Sequence, residues 1–204
     1  MSIPNQPTLE NPSLPVRSLP LVRCHWCNLR NPLYVDYHDH EWGVPVTDDG
    51  QLYELFLLET FQAGLSWQCV LGKREAFRRA FSSFDPVAIA RYTVADVDRL
   101  MGDAGIIRNR RKIQAAVTNA QVFLDIQRER DSFLSYLQGF AGLETIYEVG
   151  PTRSALSDAI SRDLARRGMH FVGSVTVYSY LQAVGIINGH ESGCFLYSGP
   201  GRGE

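Results

Sequence analysis

The sequence predicts an all-α fold, and three observations carry that prediction. No run of the chain alternates apolar and polar residues as a half-buried strand does. Apolar residues recur at helical spacing instead. Leu52, Leu55, Phe56 and Ala63 share one stripe of a helix that begins near Thr47 or Asp48, and Glu59 falls on the same stripe. Helix boundaries are also written into the chain, with Asp85-Pro86 and Thr93 as starts and Gly168 as a stop.

Residues 1–20 are rich in proline and polar residues and carry no periodicity, so a disordered arm is expected. An ordered body of one unit follows over 21–197, with a flexible tail at 198–204. Residues 24–43 mix Cys, His, acids and aromatics and read as irregular chain with short turns. The helix through Glu59 runs into Ala63-Gly64-Leu65-Ser66-Trp67, a glycine hinge followed by an indole. Lys73 to Ser82 is the next helix, with Phe77 and Phe81 on one face. Asp85 caps a short helix to Arg91, and Thr93 caps one through Leu100 and Met101. A tight connection, Gly102 to Asn109, leads into a long helix from Asn109 or Arg110 to about Arg128. Another runs from about Arg153 to Arg167. The apolar segment Val175 to Ile187 has strand-like composition, but its length and the preceding Ser174 favour a buried helix.

Composition excludes several classes. The 204 residues are 45 % apolar with a net charge of −2, so no global basic field exists and nucleic-acid binding would rest on local patches. No apolar run approaches the roughly 20 residues that cross a bilayer. The first residues lack the pattern of a signal peptide. A cytoplasmic protein with thiol or metal-bound cysteines is therefore expected, and a monomer is the default.

Three features suggest chemistry. Glu59 is a carboxylate in an apolar stripe, and it must find hydrogen bonds, a positive charge or a proton. A core arginine would serve. So would a flat cationic ligand held beside an aromatic plate such as Trp67. Next, His190 and Cys194 stand four apart, as zinc ligands do, and the early segment offers partners. Spacing favours Cys24 with Cys27, and Cys24 with His38 is the rival pair. Third, Arg108, Arg110, Arg111 and Lys112 surround a helix start, where unpaired N–H groups favour phosphate. That start is either an ordinary corner with a solvated basic face or a helix-hairpin-helix grip on a DNA backbone.

These motifs, taken together, resemble the type I 3-methyladenine DNA glycosylases. The resemblance covers roughly Arg23 to Tyr197. It rests on Cys24-x-Trp26, Pro32-Leu33-Tyr34-x-x-Tyr37-His38-Asp39-x-Glu41-Trp42-Gly43-Val44-Pro45 and Leu58-Glu59 with Gln62 to Trp67. It continues through Phe84-Asp85-Pro86, Asp103 to Arg108, Arg167-Gly168-x-x-Phe171-Val172-Gly173 and His190-x-x-x-Cys194.

The resemblance implies a helix-hairpin-helix glycosylase fold whose two ends are joined by one structural zinc ion. The implied ligands are Cys24, His38, His190 and Cys194, which leaves Cys27 a bystander. It implies a central lobe at about 46–150 and a zinc-tied lobe from about 21–45 and 151–197. Glu59 and Tyr37 would act on the flipped base, and Trp26, Tyr34 and Trp67 would line or stack on it. Gly64 and Leu65 would probe the gap in the duplex. Gly105, Ile106, Arg108, Arg110 and Lys112 would hold double-stranded DNA. The implied reaction is hydrolytic release of 3-methyladenine from alkylated DNA, leaving an abasic site as in base excision repair. A non-catalytic lesion-binding module is the alternative. Two departures stand out: Thr60 follows the glutamate where the family commonly has glycine, and Met169 replaces a common aromatic. The extra β-branched side chain of Thr60 could narrow the pocket or shift its helix, which leaves its effect on the substrate range open.

Overall fold

The computed structural model describes residues 21–199, so the arm at 1–20 and residues 200–204 of the tail lie outside the described residues. Ten α-helices and one short strand pair build the described chain. Residues 24–43 are not irregular throughout. Asn31 accepts from the N–H groups of Leu33 and Tyr34, Pro32 opens the first turn, and α1 runs over Pro32–His40. Polar and apolar residues are evenly mixed in this helix, so no clear apolar stripe announces it.

Helix α2 (Asp49–Gln62) starts from Asp48, whose side chain accepts from Gln51 N–H. Every residue from Leu52 to Phe61 is buried. It is thus the central helix of the fold and not an amphipathic surface one, which is why Glu54, Glu59 and Thr60 are interior too. Ser66 caps α3 (Trp67–Leu71), a helix too short to register as a period. Then come α4 (Arg74–Ala80), a 3₁₀ turn at Ser82–Phe84, and α5 (Pro86–Ile89), capped by Asp85. Phe77 and Phe81 stack at 5.6 Å beneath Phe61 of α2.

Helix α6 (Val94–Gly102) starts on Thr93, whose N–H donates to the Asp96 carboxylate at 2.9 Å. A short turn then leads to α7 (Arg110–Arg130), capped by Asn109. Asp131 closes α7 in the left-handed region, and α8 (Phe133–Ala141) begins at Ser132. Asp49 of α2 also accepts from the Phe133 and Leu134 N–H groups at 2.8 and 3.2 Å, so one carboxylate ties two helix starts together. Helix α9 (Ala155–Arg166) ends before Gly168 as expected.

The segment expected as one helix through Ile187 is divided. Helix α10 (Ser174–Ala183) ends there, and Gly185 follows at φ +74°. A Cβ on Gly185 would meet the backbone of Val44 and Pro45 at 2.4 Å, so only glycine fits the crossing. Ile187 and Asn188 form β2, which pairs in parallel with β1 (Ile146–Tyr147). The 43–46 strap lies against the end of α10, with Gly43 N–H on Gln182 O at 3.0 Å and Val46 N–H on Val184 O at 3.1 Å. Phe195 N–H reaches Val22 O at 2.8 Å, so the two ends of the described chain meet. No described helix is long and apolar enough to cross a membrane.

Candidate functional site

A cleft of about 210 Å³ opens between α1, α2, α3 and α10. That is below the roughly 300–1,000 Å³ of drug-sized sites and suits a single planar ring system. Its lining includes Trp26, Tyr34, Tyr37, Glu59 and Trp67, all five expected around a base. It also includes Trp42, Gln62, Ser179 and Gln182, which the sequence reading did not assign. Gln62 lies one turn beyond Glu59, so helical spacing could have flagged it. Nothing local could have brought Ser179 and Gln182 of α10 to the same wall.

Glu59 is 4 % exposed, and its Oε2 has no hydrogen-bond partner. Among the described residues no arginine neutralises it. Arg74 instead pairs with Glu54 and Glu41, each at 2.6 Å. Burial alone pushes the Glu59 carboxyl from its ordinary 4.5 up to about 8. The buried indole nitrogen of Trp67 is a second orphan on the same wall. An acceptor and a donor left unpaired in one cleft are an unmet demand for a ligand that carries both complements. Tyr37 is 2 % exposed with its ring 5.2 Å from Trp67, and burial together with Glu59 holds its hydroxyl protonated. Tyr34 packs edge-on against Trp26 at 5.6 Å.

Thr60 does not belong to the lining. Its hydroxyl donates to Leu57 O at 2.7 Å inside α2, so the expected narrowing of the pocket is corrected. Met169 is 3 % exposed and fills the core.

A second cluster stands behind the cleft. The ligand atoms of Cys24, His38, His190 and Cys194 lie within 4.8 Å of one another, and all four residues are buried. Sulfur-to-nitrogen distances are 3.5 Å for Cys24–His190 and Cys194–His38 and 3.6 Å for Cys194–His190. Zinc bonds of about 2.3 Å to sulfur and about 2.0–2.1 Å to nitrogen, set at tetrahedral angles, require an edge of about 3.6 Å. The remaining imidazole nitrogens are already engaged. His38 Nδ1 faces Asp39 at 2.8 Å, with Arg23 behind that carboxylate, and His190 Nε2 faces Trp42 O at 3.1 Å. Cys27 stands outside the cluster with its thiol toward Tyr34 O, which corrects the C-x-x-C pairing that spacing favoured. Trp26 and Trp42 separate the two sites. Trp26 lies 5.2 Å from His38 and Trp42 lies 4.7 Å from His190, and both line the cleft.

The polar surface divides the residues expected to meet DNA. Gly64 sits at φ +81° in an open turn, and Leu65 beside it is 44 % exposed. Arg108 and Arg111 are exposed and form no ion pair among the described residues. Arg110 pairs with Asp98 at 2.7 Å, so its charge is partly neutralised within the protein. Gly105 N–H is taken by the Asp103 carboxylate at 2.7 Å, and Ile106 is a 3 %-exposed core plug. Lys112 is a correction. It is 6 % exposed and points inward, its ammonium donating to Phe61 O and Ala63 O. A helical wheel cannot tell an inward lysine from an outward one when neighbouring positions are all cationic.

The methyladenine glycosylase family model matches residues 26–197. The chain belongs to that family. It is 45 % identical over 186 residues to DNA-3-methyladenine glycosylase 1 of Escherichia coli (strain K12), covering 88 % of this chain and 98 % of that one. Among solved structures, a 3-methyladenine DNA glycosylase I superposes with a TM-score of 0.83 at 43 % identity, covering 86 % of this chain and 100 % of the other. The Staphylococcus aureus enzyme, solved to explain its recognition of 3-methyladenine, superposes at 0.78 with 36 % identity, over 81 % of this chain and 91 % of its own. Both the pocket and the Cys/His cluster fall within the matched residues, apart from Cys24.

Proposed function

We propose that this methyladenine glycosylase excises 3-methyladenine from alkylated double-stranded DNA by hydrolysis and leaves an abasic site. One observation carries the reading. An unpartnered, buried carboxyl group shares a base-sized cleft with an unpartnered indole N–H and a ring of aromatics. N3-methylation makes the adenine cationic and weakens its glycosidic bond. The cation supplies what Glu59 lacks, and the aromatic walls favour a delocalised charged ring. Tyr37 adds a protonated hydroxyl beside Glu59. The base is turned out of the stack to reach this cleft, and a damaged base leaves the stack more readily than a normal one. Because the leaving group is activated by its own charge, Glu59 acts by attraction and hydrogen bonding more than by donating a proton.

The chain is monofunctional on this reading. Its two lysines are Lys73 and Lys112, and both ammonium groups are held by backbone carbonyls outside the cleft. Neither offers the free amine that Schiff-base chemistry requires.

Zinc fits the Cys24–His38–His190–Cys194 cluster by donor type, edge length and engaged second nitrogens. With four protein ligands it would be structural and would close the lobe formed by 21–45 and 151–197. The α6–turn–α7 unit serves as a helix-hairpin-helix grip, with Arg108 and Arg111 toward phosphate. Leu65 enters the gap that the extruded base leaves. A monomer in the cytoplasm suffices for all of this.

Chromatography of the bases freed from methylated duplex DNA tests the proposal. Release of 3-methyladenine is the expected result. Retention of damaged DNA without release would make the protein a lesion-binding module and refute it.

A further inference from the structure

The most deeply buried lysine or arginine among the described residues belongs to neither the cleft nor the Cys/His cluster. Lys112 opens the inner face of α7, and its Nζ lies 2.6 Å from Phe61 O and 2.7 Å from Ala63 O. Those carbonyls end α2, whose last turn holds no basic residue of its own. A helix C-terminus leaves its last carbonyls unpaired and carries the negative end of the dipole, so an ammonium there meets both needs. The carbonyl between them, Gln62 O, accepts Leu65 N–H at 2.6 Å. All three carbonyls that lead into the Gly64-Leu65 turn are therefore held. The turn itself touches little. A Cβ on Gly64 would meet nothing within 4 Å, and Leu65 projects into solvent.

A third segment closes over the same point. The Phe171 ring lies 5.6 Å from Lys112 Nζ, with its backbone at φ +58°. Asn119, two turns further along the same face of α7, holds His170 by both backbone groups at 3.0 and 2.8 Å. The inner face of α7 thus holds the 170–171 loop through Asn119 and the Gly64-Leu65 turn through Lys112. Its outer face presents Arg108 and Arg111 beside the helix start.

We infer that Lys112 is a positioning residue for lesion extrusion, fixing the Ala63-Gly64-Leu65 turn relative to the helix that grips the backbone. The inference rests on the proposed role of Leu65 in the duplex. Its chemistry is a fixed distance. The phosphate grip and the probing side chain are joined by one ammonium and two carbonyls, so gripping the backbone sets where Leu65 stands. Lys112 lines no part of the Glu59 cleft.

The test compares Lys112→Met with the parent on three readouts. They are release of 3-methyladenine from methylated duplex DNA, release from methylated single-stranded DNA, and binding of free 3-methyladenine followed by tryptophan fluorescence. A turn displaced by about 1 Å is expected to cost about a hundredfold on duplex DNA. Single-stranded release should fall far less, and free-base affinity should stay as in the parent. Lys112→Arg, which keeps donors at the carbonyls, should recover most of the duplex rate. Unchanged duplex release would overturn the inference. So would an equal fall in all three readouts, which a purely structural lysine predicts.

If Lys112→Met does not fold, Gly64→Ala carries the test, because it strains the left-handed turn in open space and leaves Lys112 in place. It should show the same loss confined to duplex DNA, and an unchanged ratio of duplex to single-stranded release would overturn the inference. Leu65→Ala separates the two layers. Normal duplex release by Leu65→Ala removes the role of the turn and the inference with it. A deficient Leu65→Ala beside a normal Lys112→Met removes the inference alone.

Discussion

Replacing Glu59 with glutamine removes a charge while keeping the shape, and its consequences can be worked out in sign and size. Each tenfold change in acidity is worth about 1.4 kcal/mol. The climb of Glu59 from 4.5 to about 8 therefore sets the cost of ionising it in the empty cleft at about 5 kcal/mol. A cationic base offsets that cost when it enters. At pH 7 only about one free enzyme molecule in ten carries the ionised carboxylate. The kcat/KM for a cationic base should accordingly rise with pH and level off above about 8. Glu59→Gln lacks both the charge and the titration. It should lose the charge-assisted hydrogen bond, worth about 1.5–3 kcal/mol or roughly ten- to a hundredfold in kcat/KM, and show a flat profile. Stability runs the other way. A carboxyl whose value is raised on folding stabilises fully below its unfolded value and loses that contribution as pH climbs through the folded one. Glu59→Gln should therefore melt above the parent beyond pH 8 and converge with it near pH 4.5. The assays are base release by chromatography across pH and thermal melting of both proteins. Parallel pH profiles, or unchanged release by the variant, would refute the reasoning.

Three further outcomes are expected. Cys194→Ser should lose bound zinc by elemental analysis and melt lower, whereas Cys27→Ser should keep both, since only the first removes a member of the cluster. Trp67→Phe keeps an aromatic side chain and removes the orphan N–H, so free-base affinity should drop by at least three- to tenfold by titration, about the value of one neutral hydrogen bond. Arg108→Ala or Arg111→Ala should lower the salt dependence of DNA binding by about one counterion each. Arg110→Ala should change it less, because Asp98 already holds that guanidinium.

Legibility in the sequence followed the physical signal. Helices α2, α5, α6, α7 and α9 were readable because caps or apolar spacing mark their starts, and the structure places those starts within about two residues of the expected ones. Helices α1, α3 and α8 escaped. The first mixes polar and apolar residues without a clear stripe, the second is five residues long, and the third is separated from α7 by only two residues. The expected stripe on α2 was real but incomplete, since the helix is buried on every side. In the cleft, Gln62 of α2 was overlooked although it lies one turn beyond Glu59, whereas Tyr34, Tyr37, Glu59 and Trp67 on α1 to α3 were found through the glutamate and the family resemblance. Ser179 and Gln182 were not, because only the tertiary crossing of α10 over α2 brings them near. Lys112 was given the wrong partner for a related reason: its charge was visible and its direction was not.

Trp26 and Trp42 each pack against a histidine of the Cys/His cluster on one side and line the cleft on the other. Two of the four cluster residues, His190 and Cys194, are synthesised after almost everything else that the cleft requires. A nascent chain halted at Gln182 would already contain every residue that lines the cleft. It would still lack the pair that holds the two indoles from behind. Completion of the cleft therefore waits on the last part of the body to leave the ribosome, and a truncated product carries the reacting groups without the wall that aligns them.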